Sequence, residues 1–116
     1  MRPWPVALIL VAACAGPAAP DAALCRDLIA RLCVEPRCSE VDSRLSVSST
    51  CEATLLSRTG CASDDFEFVD PPRTAWLSCR AIVVRSGTTT GAHPLCNDVG
   101  DMLNTCSEVT AALGGP

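Results

Sequence analysis

The chain has 116 residues, which suits one small domain. Nine arginines and no lysine stand against thirteen Asp and Glu, for a formal charge of −4. Nothing in this balance supports nucleic-acid binding, because no basic stripe exists and the few aromatics give no stacking platform. Nine cysteines in so short a chain point to disulfides in an oxidising compartment and away from the reducing cytosol.

The amino terminus carries one positive side chain, Arg2, ahead of an uninterrupted apolar run from Val6 to Ala13. A short cationic region followed by a short apolar one is the order of a secretory signal. The run is well under the roughly 20 residues that span a bilayer. It ends in Val11-Ala12-Ala13-Cys14, which resembles the lipobox of bacterial lipoproteins: an aliphatic residue, two small residues and a cysteine. The resemblance covers only the first fourteen residues. It implies cleavage after Ala13, a thioether-linked diacylglycerol on Cys14 and acylation of the new amino terminus. Several acyl chains give durable membrane anchoring, whereas one gives only marginal binding. Ala15, in place of an aspartate, implies the outer membrane in a cell that has one. Ala13-Cys14-Ala15 also fits ordinary signal cleavage after Ala15, which would release the protein. Both readings export the chain. The lipidated one accounts for the odd cysteine, since eight others remain for the body.

The expected organisation is a signal peptide over 1–13, Cys14 with an Ala/Pro tether over 14–23, and a cysteine-rich domain over 24–116. A helix start at Pro20-Asp21 would shorten the tether by its last few residues. In the body, Cys25, Leu28, Ile29, Leu32 and Cys33 share one helical face. Asp21 is placed to cap that helix and Pro36 to end it. Ser39-x-x-Asp42 and Ser49-x-x-Glu52 read as capping boxes. The first opens a short helix with Cys38, Val41 and Leu45. The second opens one with Cys51, Thr54 and Leu55 that closes near Gly60. Asp70-Pro71-Pro72 signals a further start, followed by a face of Ala75, Trp76, Cys79, Ile82 and Val83 that ends at Gly87. The β-branched Ile82-Val83-Val84 run also admits a strand. Arg85 to Pro94 reads as a loop. Cys96, Val99, Met102, Leu103, Cys106, Val109 and Leu113 then form one stripe over five turns.

The fold expected is all-α, a disulfide-stapled bundle of four to five short helices. The framework is Cys25, Cys33, Cys38, Cys51, Cys61, Cys79, Cys96 and Cys106, in four disulfides. At 1.5 Å per residue, Cys25 and Cys33 lie about 12 Å apart, and Cys96 and Cys106 about 15 Å, beyond the roughly 7 Å reach of a disulfide. The helices must therefore be linked to each other. Cys33–Cys38, across the turn at Pro36, is the one short-range bridge the spacing allows. That same pair alone approaches zinc-ligand spacing, so no metal and no cofactor are expected.

No Gly-x-Ser-x-Gly, HExxH or Cys-x-x-Cys is present. His93 reads as a solvated loop histidine, because a Cys-His pair would need a free thiolate beside it. Asp64, Asp65, Glu67 and Asp70 present oxygens of the kind calcium takes, but without EF-hand spacing they read as a solvated acidic loop. Phe66 and Phe68 alternate with those acids and read as core anchors folded back, or else as an exposed edge for a partner. The function expected is non-enzymatic: an anchored envelope protein with a binding or structural role and an unidentified protein partner. The body resembles in style the small cysteine-rich lipoproteins of GC-rich bacteria. The alternative is a freely secreted inhibitor or toxin-like module presenting Arg85–Thr90 or Asp64–Asp70.

Overall fold

A computed structural model describes residues 20–85 and 93–114. The expected signal peptide, Cys14, most of the tether and the stop at Gly87 lie outside these residues. Among the described residues the chain is all helical, with six α-helices, one or two more than the bundle expected.

Helix α1 spans Pro20–Cys33. Proline opens it at no cost, because a first-turn N–H has no intrahelical acceptor. The last four residues of the expected tether, 20–23, are thus helical, and Ala22 is fully buried. The predicted face is the buried one: Cys25, Leu28, Ile29, Leu32 and Cys33 all point into the core.

Helix α2 spans Ser39–Leu45 and buries Val41 and Leu45. Its N-cap is Cys38, so Ser39 stands inside the first turn and is not the cap its motif suggested. A 3₁₀ turn at Ser48–Thr50 leads into α3, Cys51–Thr59, with Thr50 in the N-cap position where Ser49 was expected and no side-chain cap hydrogen bond. The turn accounts for the shift, since it holds Ser49 in helical hydrogen bonding one step too early to cap α3. Gly60 closes α3 at φ 82°, and its N–H returns to the Leu56 carbonyl. That is the left-handed C-terminal position where glycine is favoured.

Helix α4 spans Arg73–Val84. The carbonyl of Pro72 accepts the N–H groups of Ala75 and Trp76, so Pro72 holds the N-cap position and Asp70 lies outside the helix. Ile82-Val83-Val84 is helical: Val83 is buried and Ile82 packs against the core, and that burial outweighs the small propensity cost of β-branching.

The carboxy-terminal stripe is not one helix. Helix α5 spans Cys96–Thr105 and α6 spans Ser107–Gly114. Cys106 between them has φ −99° and ψ 65°, outside the helical region. Its N–H still bonds the Met102 carbonyl, while the Thr110 hydroxyl donates to the Leu103 carbonyl across the break. Asn104, Thr105, Cys106 and Ser107 are all modest helix formers, so the bend meets little local resistance. Val99, Met102, Leu103, Val109 and Leu113 remain buried, but on two axes, and Cys96 at the stripe's start is exposed.

The packing follows from these faces. Helix α1 lies against α3 and α4, α5 against α4 and α2, and α6 turns back onto α3, α2 and α5. The core is aliphatic and cysteine-rich, with Trp76 its one fully buried aromatic residue. Arg58 on α3 fastens two helix ends at once. Its guanidinium donates to the carbonyls of Leu45 and Ser46 at the end of α2, and to Leu113 near the end of α6. Cations at helix C-termini are favourable on charge grounds as well.

Candidate functional site

Four disulfides organise the domain: Cys25–Cys61, Cys33–Cys51, Cys38–Cys96 and Cys79–Cys106, with Cα separations of 6.2, 5.7, 5.5 and 6.1 Å. All four link one element to another. Cys33–Cys38, the short-range bridge expected from spacing, does not form. Cys33 is the last residue of α1 and meets Cys51, the first residue of α3, while Cys38 caps α2 and meets Cys96 at the start of α5. The first two bridges form a ladder. Helices α1 and α3 run antiparallel, so Cys25 and Cys33, two turns apart, meet Cys61 and Cys51 in reverse order. The other two hold α5 at both ends, its start to α2 and the residue after its end to α4.

His93 is half-buried, and its two ring nitrogens lie 2.7 Å from the carbonyl oxygens of Pro36 and Pro94. It ties the loop before α5 to the turn after α1. The nearest cysteine in sequence, Cys96, is bridged, as is every other described cysteine, so among the described residues no thiolate stands beside the imidazole.

The segment after α3 folds back over the core. Phe68 stacks on Trp76 with ring centroids 4.8 Å apart and 23° between planes, and Phe66 meets Phe68 edge-on at 5.1 Å. Both phenylalanines are partly buried against the core, which fits the anchor reading. Asp21 fixes this segment. Its carboxylate accepts the Phe68 N–H at 3.0 Å and Arg73 Nε at 2.6 Å. The expected cap residue therefore works across the fold instead of on its own helix.

The Phe68 N–H, followed by Arg73, holds the Asp21 carboxyl below its ordinary value of 3.8, although burial pushes the other way. At Asp27 burial pushes up most strongly, but Arg31 at 2.9 Å and Arg80 at 2.5 Å together bring it below the ordinary value. A carboxyl with a depressed folded pKa contributes stability above its unfolded pKa and loses it as pH falls through the folded one. The oxidised protein is therefore expected to melt at lower temperature as pH falls from about 5 to about 2, and Asp21→Asn to lose less over the same window. Melting curves across that range check this; parallel slopes for the two proteins would contradict it.

The acidic residues of the segment do not converge. Asp64 pairs with Arg26 at 2.8 Å and Asp65 accepts from the Ser63 hydroxyl. Among the described residues no group of three His, Cys, Asp or Glu is placed to hold a metal ion. Instead, Phe66 to Pro71 forms one wall of an open groove of about 640 Å³, floored by Trp76 and closed on the other side by Arg58 and Thr59 of α3 and by Glu108, Ala111 and Ala112 of α6. This concave feature gathers aromatic and charged side chains of the described residues from separate elements, and nothing in the spacing of the sequence signals that α6 takes part. A second, smaller depression of about 390 Å³ lies beside Cys79–Cys106. No protein family, curated protein or solved structure matches the chain.

Proposed function

We propose that the chain is an exported lipoprotein, anchored through Cys14 at the cell envelope, in the outer membrane of a cell that has one. Its role there is non-enzymatic, binding a partner or contributing to surface structure. One observation carries the reading. The eight other cysteines pair with one another inside the folded domain, so none remains to bridge Cys14 within the same chain. A lone exported cysteine at the end of a signal-like run is accounted for by lipidation. Four disulfides independently fit an oxidising compartment. Among the described residues no helix is long and apolar enough to cross a membrane.

Metabolic labelling with palmitate in a bacterial host tests the anchor. Label is expected on the wild-type chain in the membrane fraction, and Cys14→Ser is expected to lose it entirely. Unlabelled wild-type protein recovered in the medium would overturn the proposal in favour of free secretion.

A further inference from the structure

The groove beside Trp76 combines three properties that define a partner. Its floor and one wall are aromatic, with Phe68 stacked on buried Trp76 and Phe66 against the stack. Its rim carries three exposed carboxylates, Glu67, Asp70 and Glu108, which have no ion-pair partner among the described residues. Its lone lining cation, Arg58, directs its guanidinium into the fold, onto the carbonyls of Leu45, Ser46 and Leu113. Of the carboxylates outside the groove, Asp21, Asp27, Glu35, Asp42, Asp64, Asp98 and Asp101 each lie within ion-pair distance of an arginine, whereas Glu40, Glu52 and Asp65 pair with none among the described residues. Glu67, Asp70 and Glu108 thus place three carboxylates without an arginine partner around an apolar surface. Val69 stands at the same rim and is 85 % exposed, the most exposed large apolar side chain described.

We propose that this groove docks an extended segment of a partner protein in which basic side chains alternate with apolar ones. The charge is complementary: Lys or Arg side chains meet Glu67, Asp70 and Glu108, and their cationic heads also find the aromatic faces favourable. The apolar side chains lie against Phe66, Phe68 and Val69. The shape favours a chain segment over a small molecule. The volume falls in the range of about 300–1,000 Å³ that accommodates ligands, but the groove is open to solvent, and a small ligand needs most of its surface enclosed. The inference names the partner chemistry for the binding role proposed above, and it holds whether or not Cys14 carries lipid.

The test uses the oxidised full chain in detergent micelles and three acetylated hexapeptides: Ala-Arg-Leu-Arg-Phe-Ala, its Glu-for-Arg counterpart, and a charge-only version, Ala-Arg-Ser-Arg-Ser-Ala. Titration calorimetry at physiological salt is expected to give at least tenfold tighter binding for the first than for either of the others. Backbone amide shifts are expected to move at residues 66–70, 76 and 108–112. The triple variant Glu67→Gln, Asp70→Asn, Glu108→Gln alters only exposed side chains, and it is expected to lose at least tenfold in affinity; Glu52→Gln, outside the groove, is expected to bind as wild type. Equal binding of the first and charge-only peptides, unchanged affinity in the triple variant, or shifts confined to another face would each overturn the proposal. So would tetramethylammonium alone competing as effectively as the peptide, since that would make the site one for small cations. Palmitate labelling reads the anchor separately, so failure of either reading leaves the other standing.

Discussion

Reduction of the four disulfides is expected to abolish cooperative folding. The bridges close loops of 36, 18, 58 and 27 residues in sequence separation. Loop closure in the unfolded chain makes each worth about 3–4 kcal/mol, without strict additivity. A domain of this size has a net stability of only about 5–15 kcal/mol. The remaining core cannot replace that contribution: it contains one fully buried aromatic residue, and its other members are aliphatic side chains and the cysteines themselves. Among single bridges, removal of Cys25–Cys61 is expected to be most costly. Both of its residues are fully buried, and the bridge holds one end of the α1–α3 ladder, whereas Cys96 of the longest loop is exposed. Circular dichroism of the reduced, alkylated protein reads the outcome. Native helicity with a cooperative melt in that state would refute the framework role of the cysteines.

Replacing Trp76 by alanine is the substitution expected to cost most outside the cysteines, about 3–5 kcal/mol in urea unfolding of the oxidised protein. Trp76 is 2 % exposed, lies on the buried face of α4, and supports Phe68 and through it Phe66. Its loss opens a cavity and also leaves the segment from Phe66 to Pro71 without its base, so the groove collapses with the core. Trp76→Phe separates these effects. It keeps a ring beneath Phe68 and removes the unpartnered Nε1–H, and is expected to cost less than about 1.5 kcal/mol. Equal losses for the two variants would show that the stack is not what matters there.

The helical faces were legible in the sequence because helical periodicity is local. Leu28, Ile29 and Leu32 must share a side of α1 whatever α1 packs against, and the same holds for Val99, Met102 and Leu103 on α5. The bridges were not legible, because they depend on where helix ends meet. Cys33 lies five residues from Cys38, yet the turn at Pro36 sends the two into different interfaces, toward Cys51 and Cys96. The cap residues were misplaced for a related reason. Asp21 has the chemistry of a cap, but its acceptor oxygens are taken by Phe68 and Arg73, some fifty residues away, and local reading cannot weigh such partners. The break at Cys106 was hidden because both halves of the stripe stay buried, so hydrophobic spacing runs through the bend unchanged. The groove lay further out of reach, since it needs Phe68, Trp76 and Glu108 brought together by three separate elements.

The central claim is that the cysteines divide into eight that staple the fold and one that anchors it. Intact mass of the native protein isolated from a bacterial membrane tests both halves together. The account predicts a chain beginning at Cys14, heavier by diacylglycerol and an amide-linked acyl chain, and lighter by eight hydrogens than the same chain after reduction. A chain that still begins at Met1, or one beginning at Gly16 with no added lipid, would contradict the anchor; free thiols among the eight would contradict the framework.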